Sequence, residues 1–297
     1  KLSDYARQIG HTTRFVGCPK TIDNDLADTD HCPGYGSAAK YIAVSVKEII
    51  RDAYCQEYKD GVVTIVEIMG RNAGWLTGAA ALVDGRDAVK PDLIYLPEVD
   101  FDIEAFLKKV GELLEKKPFV VVAISEGIHN SDGTLISELA NKDAFVDSFG
   151  HRQLSGTANY LTRLVKEKYG SKTRAVELSL LQRAASHIAS RADITEAFAV
   201  GKAAVKAGYE GKTGVMAAYT RVSNEPYLCA IDLKDVHSIA NAESMVPRDW
   251  INEEGTYVND KFIAYAKPLI QGELAPLYLD GVPAHLPMPE ELKVWHK

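Results

Sequence analysis

The residues best suited to chemistry lie together in Pro19-Lys20-Thr21-Ile22-Asp23-Asn24-Asp25. One cation, one hydroxyl and two carboxylates follow directly on the apolar run Phe15-Val16-Gly17-Cys18. A short apolar run that stops at a proline reads as a buried strand reaching the edge of a sheet. Ligands of open α/β sheets bind beyond the carboxyl ends of strands. An ionised Asp beside a phosphate-binding cation suits deprotonation of an alcohol next to a phosphoryl group. The same residues also suit a plain loop in which Asp or Asn caps the next helix, and the local sequence leaves both readings open.

Other polar groups sit where strands should end. Met69-Gly70-Arg71 follows the run Val62–Ile68. Glycine admits a ligand close to the backbone, a helix start offers N–H donors, and Arg71 suits bidentate binding of phosphate or carboxylate. Ser125-Glu126-Gly127 follows Phe119–Ile124 and offers a carboxylate to sugar hydroxyls, or simply a turn. Arg174 and Arg183 bracket an expected strand, Ala175–Leu181. Pro33-Gly34-Tyr35-Gly36-Ser37 precedes a helix and suits an anion. His31, His151 and His187 stand apart from one another without metal-ligand spacing and read as structural. The P-loop pattern, a dinucleotide glycine fingerprint in strand–turn–helix context and a Ser-His-Asp signature are all missing.

Helical and strand-like segments must position these groups. The pattern predicts helices over 2–9, 36–54, 72–83, 102–116, 153–169, 194–208 and 257–271. It predicts strands over 13–18, 62–68, 92–96, 119–125, 174–181, 214–219 and, more weakly, 227–232. Ala39, Ile42, Ala43, Val46, Ile49, Ile50 and Ala53 recur at helical spacing. Phe119–Ile124 is nearly continuous apolar sequence, as expected of a strand covered on both faces. The alternation predicts an α/β fold with mostly parallel sheets between helices, in two lobes. A lobe change is expected near 85–91 or 129–151. The tail from Ala275, with Pro276, Pro283, Pro287 and Pro289, reads as an extended, poorly ordered segment.

The chain has 297 residues, 46% of them hydrophobic, enough for a large core and two lobes. A formal net charge of −7 argues against nucleic acid or an anionic membrane as general partner. Cys18, Cys32, Cys55 and Cys229 form no C-x-x-C pair, which suits reduced thiols in the cytoplasm. No apolar stretch approaches the length of a membrane span, and no signal peptide is visible. The chain starts without Met, inside an expected helix, so a longer parent protein is expected.

Taken together, Pro19–Asp25, Met69–Arg71, Ser125–Gly127 and Gln182-Arg183 resemble, in order and spacing, the motifs of the 6-phosphofructokinases, over about residues 1–220. The resemblance implies transfer of a phosphoryl group to the 1-hydroxyl of fructose 6-phosphate in a helix-sandwiched, two-lobed fold. It implies that Asp23 is the base, with Thr21 and Asp25 beside it, and that Arg71 stabilises charge on the transferring group. Met69 and Gly70 would touch the sugar phosphate and Glu126 the sugar hydroxyls. Arg183 and Arg174 would clamp the 6-phosphate, the latter often supplied by a neighbouring subunit in the family, so a homo-oligomer with shared sites is expected. Guanidinium groups suit a nearly doubly charged phosphate.

Within the family, a Lys at position 20 in place of Gly marks the pyrophosphate-dependent branch. His31–Ser37 and Gly150-His151-Arg152-Gln153-Leu154 resemble the same branch. The implied reaction gives fructose 1,6-bisphosphate and phosphate, reversibly, in the cytoplasm. The alternatives are an ATP-dependent enzyme and a non-catalytic regulatory subunit that binds sugar phosphate. Two positions depart from the family: Val62, where many ATP-using relatives carry an Arg from the adjacent subunit, and Leu180, where His or Tyr is usual and a hydrogen bond to the sugar phosphate is lost. The glycine-rich donor region and its Mg²⁺ ligand do not precede Lys1, so Mg²⁺ has no main ligand in this chain. The chain resembles a family member without roughly its first hundred residues. Residues 1–90 are then expected to be the rest of the donor lobe, 91–274 the sugar-phosphate lobe and 275–297 a tail, and the isolated chain should turn over little.

Overall fold

The computed structural model describes residues 1–56, 58–83, 87, 89–140, 156–287 and 289. The chain opens with helix α1 (Leu2–Gln8) and the short strand β1 (Val16–Gly17). Helix α2 (Tyr35–Tyr54) and strand β2 (Val62–Ile68) follow. Next come one helical turn α3 (Trp75–Gly78), strand β3 (Leu93–Tyr95), helix α4 (Ile103–Leu114) and strand β4 (Phe119–Ser125). Then come α5 (Ile136–Ala140), α6 (Thr157–Tyr169), β5 (Lys172–Glu177), α7 (Leu181–Ala184) and α8 (Arg191–Tyr209). The chain continues with β6 (Val215–Asn224), β7 (Tyr227–Asp235), α9 (Val236–Ile239), α10 (Asp260–Ala266) and a small hairpin of β8 (Tyr278–Leu279) and β9 (Val282–Pro283). No helix among the described residues is long and apolar enough to cross a membrane.

Four strands form a parallel sheet in the order β3-β4-β2-β5. Every residue of β2 is buried, as are six of the seven in β4, because helices cover both faces. Val66, Ile68, Val121 and Ala123 face α2 and pack with Ile42, Val46 and Ile50. Val63, Ile65, Val120 and Val122 face the other way and pack with Phe106 and Val110 of α4 and Leu161 and Val165 of α6. A β-branched run therefore serves both layers at once. The second sheet has the order β1-β6-β7, with β1 parallel to β6 and β6 antiparallel to β7. Thus the expected α/β fold is present. Strand β2, within residues 1–90, shares its sheet with three later strands, and β1 pairs with β6, so the sheets do not follow chain order.

Several boundaries differ from expectation. The predicted strand 174–181 is Lys172–Glu177, and Leu181–Ala184 is helical, because Ser179 adopts a left-handed φ of 44° and turns the chain. Arg174 therefore lies within the strand rather than ahead of it. The predicted helix 72–83 is one α turn followed by a 3-10 stretch, Ala79–Val83. Gly78 lies so close to Phe262 that a Cβ would stand 2.5 Å from its ring, which makes this a packing surface more than an independent helix. The helix expected over 257–271 is α10 plus a 3-10 turn, Lys267–Ile270. The strand expected over 13–18 shrinks to Val16–Gly17, and the strands expected over 214–219 and 227–232 lengthen into a hairpin. Residues 150–154, His151 and the second half of the expected lobe change near 129–151, residues 141–151, lie outside the described residues, as do 84–86 and 88.

One joint between the layers is ionisable. Glu67 on β2 is 5% exposed and accepts a hydrogen bond from the Ala158 backbone at 2.8 Å, at the start of α6. Burial pushes its carboxyl up to about 7, against the favourable helix N–H groups. Since its folded pKa exceeds the unfolded one, ionisation costs stability progressively as pH rises from the usual carboxylate range to about 7. Glu67→Gln is expected to gain stability relative to the parent over that interval, by on the order of 3 kcal/mol, checked by urea unfolding at several pH values.

Candidate active site

Three loops meet beyond the carboxyl ends of β1, β2 and β4. The first, Pro19–Asp25, is fixed by Asn24. This residue is 3% exposed and takes a left-handed φ of 62°, a conformation Asn tolerates. Its Nδ2 donates to the Tyr265 hydroxyl at 2.7 Å, and its Oδ1 accepts from the Cys32 backbone at 2.8 Å. Tyr265 in turn donates to the Asp30 carbonyl at 2.7 Å. With Asn24 turned inward, Asp23 and Asp25 on either side remain only part-buried. Thr21 Oγ1 donates to Asp23 Oδ2 at 3.2 Å and accepts from the Asp23 backbone at 3.1 Å. Burial, then the charges of Asp23 and Glu243, pushes the Asp25 carboxyl above its ordinary value.

The second and third loops interlock. Gly70 has φ 134° and donates its N–H to Glu126 Oε1 at 3.2 Å. Ser125 Oγ donates to the Gly70 carbonyl and accepts from the Gly127 backbone. A Cβ on Gly127 would stand 1.8 Å from the Arg71 carbonyl oxygen, so only glycine fits there. Burial raises the Glu126 carboxyl; the Gly70 N–H lowers it, the Asp23 charge raises it and the Arg71 charge lowers it. Glu126 is thus electrostatically linked to both groups. Met69 donates its N–H to Gln182 Oε1 at 3.2 Å, and Gln182 Nε2 donates to the Ser179 carbonyl at 2.9 Å, which seats α7 beside the turn.

A cleft of about 240 Å³ is lined by Lys20, Thr21, Ile22, Asp23, Pro33, Met69 and Arg183. The fold therefore gathers Lys20, Thr21, Asp23, Met69 and Arg183 on one surface. Asp25, Gly70, Arg71 and Glu126 belong to the loops that build it. Arg174 does not join them: its Nε and Nη2 donate to Gln56 Oε1, at 3.3 and 3.0 Å, beyond the end of α2. Leu180 is 56% exposed and outside the lining, and Val62 is wholly buried at the start of β2.

The expected anion cradle at Pro33–Ser37 is already filled by the chain's own carboxylate. Asp193 Oδ1 accepts from the Gly34 backbone at 2.7 Å, and Oδ2 accepts from the Ser37 backbone at 3.0 Å. His31 is 2% exposed and stacks on Tyr219, and its ring nitrogens lie 2.8 Å from Asp30 and from Glu196. Burial lowers its pKa, but the two carboxylates outweigh this and hold it above the ordinary value. His187 meets Tyr41 edge-on. Asn24 and Gln182 are the residues whose positioning work the sequence did not announce, since their partners are far along the chain.

A family model described as Phosphofructokinase matches residues 2–208. The chain is 39% identical to the pyrophosphate–fructose 6-phosphate 1-phosphotransferase of Halomonas elongata, over 95% of this chain and 67% of that protein. It is 42% identical to the protein of the same name from Xanthomonas campestris, over 96% of this chain and 68% of that one. Its fold matches the crystal structure of the pyrophosphate-dependent phosphofructokinase from Nitrosospira multiformis with a TM-score of 0.85 at 36% identity, covering 96% of this chain and 67% of that one. The chain thus spans about two thirds of the length of these relatives.

The close approach at Gly127 gives a sharp contrast. Gly127→Ala must displace the Arg71 backbone and is expected to cost about 3 kcal/mol or more. Gly201→Ala, in α8 with open space beyond its Cα, is expected to stabilise by about 0.5–1 kcal/mol. Denaturant unfolding of both variants checks the pair.

Proposed function

The chain belongs to the phosphofructokinase family, and on that premise we propose that the protein carrying it transfers a phosphoryl group from pyrophosphate to the 1-hydroxyl of fructose 6-phosphate. The observation that carries this reading is the cleft itself, where Lys20, Asp23 and Arg183 line one small surface. Asp23 takes the proton from the attacking hydroxyl. Thr21 holds Asp23 Oδ2, which leaves Oδ1 for the substrate. Lys20, exposed at the mouth of the cleft, is a point charge for the phosphate that leaves. Arg71 supplies positive charge to the transferring group, where phosphoryl transfer depends on alignment and electrostatics. Asp25 sets the field around Asp23. Met69 and Gly70 present the turn to the sugar phosphate, and Arg183 holds its 6-phosphate.

Glu126 takes the Gly70 N–H on Oε1 and offers Oε2 to sugar hydroxyls. Leu180, exposed and apolar, adds no hydrogen bond to the sugar phosphate. Arg174 points away from this chain's cleft, which supports a homo-oligomer in which it serves a neighbour's site. Residues 1–90 then contribute chiefly donor-side groups, 91–274 sugar-side groups, and 275–297 a tail. The four cysteines are free, which supports a reducing, cytoplasmic setting.

Magnesium is the ion the family implies. It takes oxygen ligands in octahedral geometry, often from substrate phosphates and one or two carboxylates. The one close group of three metal-ligand types among the described residues is His31, Glu196 and Cys229, none of which lines the cleft. Among the described residues, the cleft lining offers one carboxylate, Asp23, to such an ion, and the substrate phosphates would supply further oxygens.

A coupled assay on the full-length parent protein tests the reading. Pyrophosphate should support turnover and ATP should not, and Lys20→Gly should lower kcat/KM for pyrophosphate by about 100-fold, the scale of a lost charge contact in a transfer site. Turnover with ATP alone would contradict the donor assignment. Fructose 6-phosphate binding without turnover would contradict the enzyme reading.

A further inference from the structure

The two loops that carry Asp23 and Arg71 leave different sheets. The first follows β1 and the second follows β2, and no strand pairing among the described residues joins those sheets. Register alone therefore does not set the distance between base and arginine. The stretch Glu243–Val246, after α9, touches both loops. On one side, Leu26 and Glu243 form an isolated antiparallel bridge, and Ser244 donates its N–H to the Asp25 carbonyl at 2.7 Å. On the other, the Ser244 carbonyl accepts from Trp75 Nε1 at 2.8 Å, and Glu243 Oε1 accepts from Asn72 Nδ2 at 2.9 Å.

Glu98 completes the link. A single oxygen, Oε1, accepts from the Gly74 backbone at 2.8 Å and from the Val246 backbone at 2.9 Å. One carboxylate thus clamps the segment following Arg71 to the stretch that pairs with Asp25–Leu26. Val246 is 2% exposed, so its N–H has little recourse to water. Burial raises the Glu98 carboxyl and the two N–H groups lower it. Neither Glu98 nor residues 243–246 line the cleft.

We infer that Glu98 and the stretch Glu243–Val246 form a tie that fixes the separation of the Asp23 loop from the Met69-Gly70-Arg71 turn, with Glu98 as a positioning residue. Its consequence for turnover rests on the phosphoryl-transfer reading; the mechanical link does not. Misplacement of reacting groups by about 1 Å costs on the order of 100-fold in rate. A positioning role differs from a general structural one: it lowers turnover per folded molecule and loosens both loops together.

The test uses the full-length protein carrying this chain, with Glu98→Ala, Glu98→Asp and Glu98→Gln. Glu98→Asp keeps the charge and shortens the reach, so it serves if the alanine variant does not fold. Glu98→Gln keeps an oxygen that accepts both N–H groups. The alanine and aspartate variants should lower kcat at least about tenfold with KM within about threefold, and Glu98→Gln should restore kcat to within about threefold. Amide exchange of residues 24–26 and 72–76 should rise together in the first two variants and stay at the parent level in the third. Unchanged kcat in a folded Glu98→Asp, or exchange rising in one loop alone, would overturn the inference. A parent protein with no turnover would count against the phosphoryl-transfer reading, and the exchange result alone would then decide the tie.

Discussion

The candidate site depends on one buried amide. Asn24 stands between two carboxylates and cannot point the same way as they do. By turning inward to Tyr265 and the Cys32 backbone, it leaves Asp23 and Asp25 only part-buried. Both bonds are shielded from water, where an unmade partner is expensive. Tyr265 packs against Trp75, and Trp75 reaches the Ser244 carbonyl. The loop that carries Asp23 is therefore seated on the same aromatic cluster that supports the chain after Arg71.

Close backbone approach does the rest. Gly70 and Gly127 let the second and third loops lie against each other with the Ser125 hydroxyl between them. This explains physically why two short motifs, Met69–Arg71 and Ser125–Gly127, form one unit although they leave separate strands. β2 and β4 run in register from Val62 opposite Phe119 to Ile68 opposite Ser125, so the two turns emerge side by side. The electrostatics follow from this crowding: Asp25 and Glu126 are both raised by burial and by Asp23. A cation in the cleft would relieve that repulsion.

Much of the fold was legible because its signals are local. The apolar run Phe119–Ile124 became a strand covered on both faces, and the helical spacing from Ala39 to Ala53 became the buried face of α2. Tertiary packing overrode the rest. The alanine-rich stretch after Trp75 has helical propensity, yet it ends as a 3-10 turn against Phe262. Leu178, Leu180 and Leu181 extend an apolar run, but Ser179 turns the chain and leaves Leu180 and Leu181 exposed. In the site, Lys20, Thr21, Asp23, Met69 and Arg183 were readable as types and spacings. The positioning work of Asn24, Glu98 and Gln182 was not, because each acts through partners that only the folded chain brings near. Arg174, whose type suggested a phosphate clamp shared with a neighbouring subunit, lies on β5 and bonds Gln56 within its own chain.

The most direct measurement is turnover of Asn24→Ala in the full-length protein, set beside its unfolding free energy. If the buried amide aims the two carboxylates, the variant should stay folded after losing about 2–3 kcal/mol and should lose at least about 100-fold in kcat. A folded Asn24→Ala protein with the parent's kcat would contradict the account.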